Sequence, residues 1–115
     1  MFDFLKRPSR RPTDEVDPSE ARRRQLAGAL LIDVREPEEW ADGHVPGARH
    51  IPLGRLPRRL ADLPRDREVL FICRSGNRSS AATAAARQGG IANAMNVRGG
   101  MRSWVQTGLP VERGS

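Results

Sequence analysis

The sequence predicts an α/β fold with a central parallel sheet and helices on both faces. Three observations lead there. Two six-residue stretches, "ALLIDV" and "EVLFIC", are almost continuously apolar, as in strands buried on both faces. Between and after them lie segments with clear helix start and stop signals. The two kinds of segment alternate, which implies βα units and hence parallel strands.

In chain order, residues 1–15 are polar, rich in Arg and Pro and without a period, and read as a flexible basic tail. Residues 16–113 read as the folded domain. "DPSEARRRQLAGA" opens a helix, with Asp17 as N-cap, Pro18 at the first helical position and Glu20 completing a capping box. Gly28 ends it, and Ala29 to Val34 form the first buried strand. "EPEEWADG" is a short helix opened by Pro37 and closed by Gly43. A loop and a short strand around Ala48 to Ile51 follow, then a helical turn or two in "GRLPRRLADLP". "EVLFIC" is the second strong strand. "SSAATAAARQGG" is a helix of high intrinsic propensity stopped by Gly89 and Gly90. "NAMNV" is a strand, and "GGMRSWVQTG" is a last helix before Pro110.

Composition narrows the function. The 115 residues suffice for one domain with a real core, and a hydrophobic content of 37% fits a small soluble protein. No apolar run approaches the roughly 20 residues that span a bilayer, so no membrane partner is expected. The start "MFDFLKRPSRRP" lacks a signal-peptide core, which points to the cytoplasm. The net charge of +6 is spread along the chain, and aromatics are only 4% with no tyrosine. A nucleic-acid binder would show a basic stripe with stacking aromatics, so no nucleic acid is expected. The arginine bias reads first as a basic surface, with a preference for small anions as the sharper alternative. With one Cys and two His, no disulfide and no metal site is expected, and nothing points to a cofactor.

The one cysteine, Cys73, ends the second strand. In open α/β sheets ligands sit beyond the carboxyl ends of the strands. A helix begins at about Ser79, and its first amides have no internal partner. Gly76 and Asn77 tolerate positive φ, so the loop from Arg74 to Arg78 can curl its amides around one point. A thiol there should ionise easily. Arg74 and Arg78 add positive charge, and the hydroxyls of Ser75 and Ser79 can donate further hydrogen bonds. An ionised thiolate needs no base. It suits attack on an atom bearing an anionic leaving group, such as the outer sulfur of thiosulfate or the phosphorus of a phosphate ester.

These residues resemble a known family. "CRSGNRS" is similar to the active-site loop of single-domain rhodaneses, which are thiosulfate or persulfide sulfurtransferases. "LIDVREPEEWADGHVPGARHIPL" looks like that family's first block and "NVRGGMRSWVQTGLPV" like its closing block. The resemblance runs from about Asp17 to Val111. It implies a rhodanese-like fold and a ping-pong reaction in which Cys73 takes a sulfane sulfur, becomes a persulfide and passes it on. The implied partners are a small anionic sulfur donor and a thiol or cyanide acceptor, with a protein sulfur acceptor as a further option. Arg74 and Arg78 would orient the donor, and the amides from Arg74 to Ser79 would stabilise the anions. Asp33 and Arg35 would brace the site by hydrogen bonds.

Two rivals share the fold. Dual-specificity phosphatases of the cell-division-cycle type and related arsenate reductases have loops one residue longer between cysteine and arginine. Here four residues, Arg74 to Asn77, separate Cys73 from Arg78, which leaves room for sulfur rather than a tetrahedral oxyanion. A non-catalytic binding or regulatory module is the other rival, and the presence of Cys73 argues against it. Among the remaining residues, His44 is expected to be structural, and His50 to lie on the surface or in a strand. Glu36, Glu38 and Glu39 suit the first turn of a helix. Trp40 and Trp104 are expected in the core. Gly99 and Gly100 are expected to make a tight turn with close backbone approach. In a sharper reading Gly99 and Gly100 also shape a pocket wall, with Met101, Trp104, Arg98 and Arg102 beside it.

Overall fold

The computed structural model describes residues 14–114. Most of the expected tail lies outside the described residues. Asp14 and Glu15 do not, and Glu15–Val16 form a short strand, β1, that the sequence did not suggest. Two residues are too few to show a period. The elements that follow are α1 (Pro18–Leu26), β2 (Leu30–Asp33), α2 (Pro37–Asp42) and β3 (Arg49–His50). Then come α3 (Leu56–Arg59) between two 3₁₀ turns, β4 (Val69–Ile72), α4 (Asn77–Gln88), β5 (Ala94–Val97) and α5 (Gly100–Gln106). No helix among the described residues is long and apolar enough to cross a membrane.

The five strands form one parallel sheet in the order β1-β5-β4-β2-β3. Side chains alternate across it, so each face gathers its own core. Leu30, Ile32, Val69, Phe71 and Ala94 face Ala82 and Ala86 of α4. Leu31, Leu70, Ile72 and Val97 pack with Ala21 of α1 and Met101 and Trp104 of α5. The parallel sheet covered on both faces is thus the one that the continuous apolar runs predict. The alanines of α4 bring that helix close to the sheet. Trp104 is fully buried, and its Nε1 donates to the Pro110 carbonyl at 2.8 Å.

Two local expectations need correction. Asp17 does cap α1, accepting from the Glu20 amide at 2.8 Å, but the Glu20 carboxylate turns to Arg23 and Arg24 instead of closing a capping box. Two guanidiniums outcompete one backbone amide for an anion. Trp40 is not in the core. It is half-buried and stacks on His44, with ring centroids 3.6 Å apart, and on His50 at 4.8 Å. A helix of six residues with no buried side chain cannot turn a face into the sheet, so Trp40 finds its partners locally.

Candidate active site

Cys73 follows β4 directly. By strand alternation it points to the same face as Val69 and Phe71, toward α4. That parity places the thiol beside the N-terminus of α4, where unpaired amides are available. Cys73 is 1% exposed, while Arg74, Ser75 and Asn77 around it are exposed.

The loop is shaped by its backbone. Gly76 has φ +110° and ends the loop, and Asn77 is already helical, so the helix starts earlier than expected. Only the glycine needs positive φ; no other residue type among those described adopts it. The Gly76 amide donates to Cys73 Sγ at 3.1 Å, and Ser79 Oγ lies 3.2 Å from the same sulfur. Ser79 is buried, and its carbonyl accepts from Thr83 Oγ1 at 2.8 Å.

A second helix end holds the loop from the other side. The Met101 amide donates to the Cys73 carbonyl at 2.7 Å, and the Arg102 amide to the Arg74 carbonyl at 3.0 Å. Both peptides are trans, so their N–H groups point the opposite way from their C=O groups. Fixing the carbonyl of Arg74 on α5 therefore turns the Ser75 amide toward the sulfur. Gly100 makes this approach possible. It has φ +59°, and a Cβ there would come within 2.6 Å of the Arg74 carbonyl carbon and oxygen. The tight turn and close approach expected at Gly99 and Gly100 have this purpose.

Burial pushes the Cys73 thiol up. The Ser79 hydroxyl and the amides of Ser79, Gly76 and Ser75 pull it down and prevail, leaving it below its ordinary value. Neither histidine bonds the sulfur. His44 is buried, with Nδ1 2.8 Å from the Trp40 carbonyl and Nε2 3.4 Å from Glu112 Oε2, as befits a structural histidine. His50 Nε2 lies 2.7 Å from the Arg35 carbonyl.

The two arginines of the loop differ. Arg78 forms a bidentate pair with Glu39 of α2, at 2.7 and 2.9 Å. This pair holds the Glu39 carboxyl at about 2 and raises the Arg78 guanidinium further. It was not legible in the sequence, where the partners are 39 residues apart. Arg74 is exposed, and among the described residues no carboxylate pairs with its guanidinium. Asp33 and Arg35 are buried together. Arg35 Nε and one terminal nitrogen lie 3.0 and 2.7 Å from the two Asp33 oxygens, and the same terminal nitrogen reaches the Gly43 carbonyl at 2.7 Å. The Arg35 amide also donates to Asp33 Oδ1 at 2.9 Å. Beside Arg74 runs a groove of about 430 Å³ lined in part by Arg35, Glu39, Met101, Arg102 and Val105. Arg102 thus lines the groove beside Arg74.

Buried Asn96 on β5 is the residue that sequence inspection missed. Its Oδ1 lies 2.6 Å from Ser79 Oγ and its Nδ2 donates to Glu15 Oε2 at 3.0 Å. The one available signal was a polar residue inside the apolar run "NAMNV".

Comparison with known proteins agrees with this geometry. The family profile of the rhodanese-like domain matches residues 17–107. A sulfurtransferase of Allochromatium vinosum is 41% identical over 101 residues, covering 85% of this chain and 94% of that one. A putative sulfur carrier protein of Bacillus subtilis is 42% identical over 74 residues, which are 64% of this chain and 40% of the relative. Among solved structures, a rhodanese-related protein of Thermoplasma volcanium superposes with a TM-score of 0.79 at 33% identity, covering 85% of this chain and 96% of that one.

Proposed function

The chain belongs to the rhodanese-like domain family, and on that premise we propose that it transfers sulfane sulfur from thiosulfate or a persulfide to a thiophilic acceptor through Cys73. The observation that carries this reading is the Cys73 sulfur itself, which meets the Gly76 amide and the Ser79 hydroxyl in a loop with four residues before Arg78. The loop amides suit a sulfur anion, and the short loop suits one extra sulfur atom better than a phosphoryl group. Sulfur transfer is also the activity in the printed name of the Allochromatium relative.

With thiosulfate the step balances simply. The thiolate of Cys73 attacks the outer sulfur. A new S–S bond forms, the bond to the sulfite sulfur breaks, and sulfite leaves with the electron pair. Cys73 becomes a persulfide anion. An acceptor thiolate or cyanide then attacks the terminal sulfur, and the Cys73 thiolate is restored. In this reading the amides of Ser75, Gly76 and Ser79 steady the negative charge in both states. Arg74 draws in the anionic donor. Arg78, neutralised by Glu39, ties α4 to α2 and contributes less charge than the sequence suggests. Asp33 and Arg35 hold the neighbouring loop. The catalytic unit spans residues 16–113, and its lone thiol suits the reducing cytoplasm.

A protein thiol is the acceptor that the groove favours. Its volume exceeds the needs of a small anion, and exposed Val105 and Arg102 flank it. The related sulfur carrier protein fits such a relay.

The test is intact mass after incubation with thiosulfate. We expect one added sulfur atom on the wild type, removed by cyanide or a thiol, and none on Cys73→Ser. Absence of added sulfur with thiosulfate and with glutathione persulfide alike would reject sulfur transfer and favour a binding module.

A further inference from the structure

Behind Cys73 lies a line of polar side chains that the steps above do not use. Asn96 is paired in register with Phe71 of β4 on one side and Glu15 of β1 on the other. It therefore faces α4, as Phe71 and Cys73 do. Asn96 Nδ2 reaches Glu15 Oε2, Asn96 Oδ1 reaches Ser79 Oγ, and Ser79 Oγ reaches Cys73 Sγ, at 3.0, 2.6 and 3.2 Å. Ser79 and Asn96 are 0% and 2% exposed, so their hydrogen bonds are settled within the protein.

Counting hydrogens decides what this line does. A carboxylate only accepts, so Glu15 holds the Asn96 amide with its nitrogen outward and its oxygen toward Ser79. An amide oxygen only accepts, so the hydrogen in the 2.6 Å contact belongs to Ser79. A hydroxyl has one hydrogen. While it points at Asn96, Ser79 shows the sulfur a lone pair. That lone pair suits a thiol, which donates. Against the inner sulfur of a persulfide, whose charge sits one atom further out, it costs less than against a thiolate. It does not suit a thiolate, which needs a donor.

From this count we propose that Asn96 is a positioning residue that competes with Cys73 for the single hydroxyl hydrogen of Ser79, favouring an uncharged Cys73 sulfur, thiol or inner persulfide, over the thiolate. A thiolate that takes the hydrogen leaves a buried amide oxygen without its donor. A thiolate that does not take it lacks one hydrogen bond. Either way the competition costs the thiolate a hydrogen bond, against the pull of the loop amides. Arrival of the outer sulfur moves the charge toward the loop amides and returns the hydrogen to Asn96. Loading thus relieves the competition. The persulfide half of this statement rests on the sulfur-transfer reading, and the thiol half does not.

Among the described residues, the charged groups on the elements packed about the loop and Asn96 are few. They include Arg74 and Arg78 after β4, Glu39 of α2, the Asp33–Arg35 pair at the end of β2, Arg102 of α5 and Glu15 of β1. Asn96→Leu alters none of these charges. The shift it causes therefore reports the hydrogen bond.

The experiment is the pH dependence of Cys73 alkylation by iodoacetamide, on the full chain, for wild type, Asn96→Leu, Ser79→Ala and the double variant. Asn96→Leu is expected to lower the midpoint by about one pH unit, and to do nothing in the Ser79→Ala background. An unchanged midpoint, or an equal shift in both backgrounds, would overturn the proposal. Should Asn96→Leu fail to fold, Glu15→Ala takes its place, because it frees the amide to turn its nitrogen toward Ser79. Its downward shift must then shrink when Ser79 is alanine; equal shifts reject the competition. Intact mass at fixed thiosulfate and sulfite reads the persulfide half, with a persulfide-to-free ratio roughly three- to tenfold lower in Asn96→Leu than in wild type. An equal ratio would overturn that half. A wild type that takes up no sulfur would overturn sulfur transfer, and the alkylation midpoints would still decide the competition.

Discussion

Two loops leave the carboxyl edge of the sheet side by side, and they are held in opposite ways. The loop after β4 is held by backbone. Its carbonyls at Cys73 and Arg74 are fixed by amides of α5, and its turn is made by Gly76. The loop after β2 is held by side chains, through the buried Asp33–Arg35 pair and its bond to the Gly43 carbonyl. The difference shows where chemistry has room to vary. A backbone-built loop leaves Arg74 and Ser75 pointing outward, available to a substrate. A loop built on a buried ion pair has spent its charged groups on structure.

The largest expected effect falls on the second loop. Asp33→Ala leaves the Arg35 guanidinium, 6% exposed, without its anion. Removing one partner of a buried pair costs about 3–5 kcal/mol. Urea denaturation should show a loss of that order, and a loss under about 1 kcal/mol would mean that the brace is dispensable. The first loop answers to a different substitution. Gly100→Ala places a methyl against the Arg74 carbonyl at a φ of +59°, where the obstacle is main chain and cannot swing away. We expect about 2–3 kcal/mol of destabilisation. Cys73 alkylation should also shift toward higher pH, because the Ser75 amide loses its aim. Stability lost with the alkylation profile unmoved would show that α5 supports the fold without shaping the sulfur site.

The contrast also explains how much was legible beforehand. Local rules carried four of the five strands, the helix starts at Pro18 and Pro37, and the place of Cys73 at a strand end. They also carried Gly99 and Gly100, because positive φ at a turn is a local demand. What escaped is pairing across space. Glu39 looked like a helix-start acid and is one, since it accepts from the Glu36 amide at 2.9 Å, yet its carboxylate also grips Arg78. Asn96 sits in an apolar run, and only the register of β5 beside β4 and β1 shows what it meets. Trp40 was misplaced because aromatic content suggests a core, while a six-residue helix left it to stack on histidines.

The Glu39–Arg78 pair joins the two loops and is expected to have the smallest effect. Both side chains are partly exposed, at 25% and 34%, so solvent screens the attraction. Glu39→Gln should cost no more than about 1 kcal/mol at neutral pH. Its signature lies in acid. Hydrogen bonds from Arg78, opposed by burial and helped by the Glu36 amide, hold the carboxyl at about 2 against an ordinary 4.5. A carboxyl whose folded value is depressed stabilises the fold above its unfolded value. That stability is lost as pH falls toward the folded value. The wild type should therefore exceed Glu39→Gln in melting temperature from pH 7 down to about 4.5, and the gap should close between there and about pH 2. A constant gap across that window would mean that the carboxylate's charge is irrelevant. The two loops would then be joined by shape and hydrogen bonding alone.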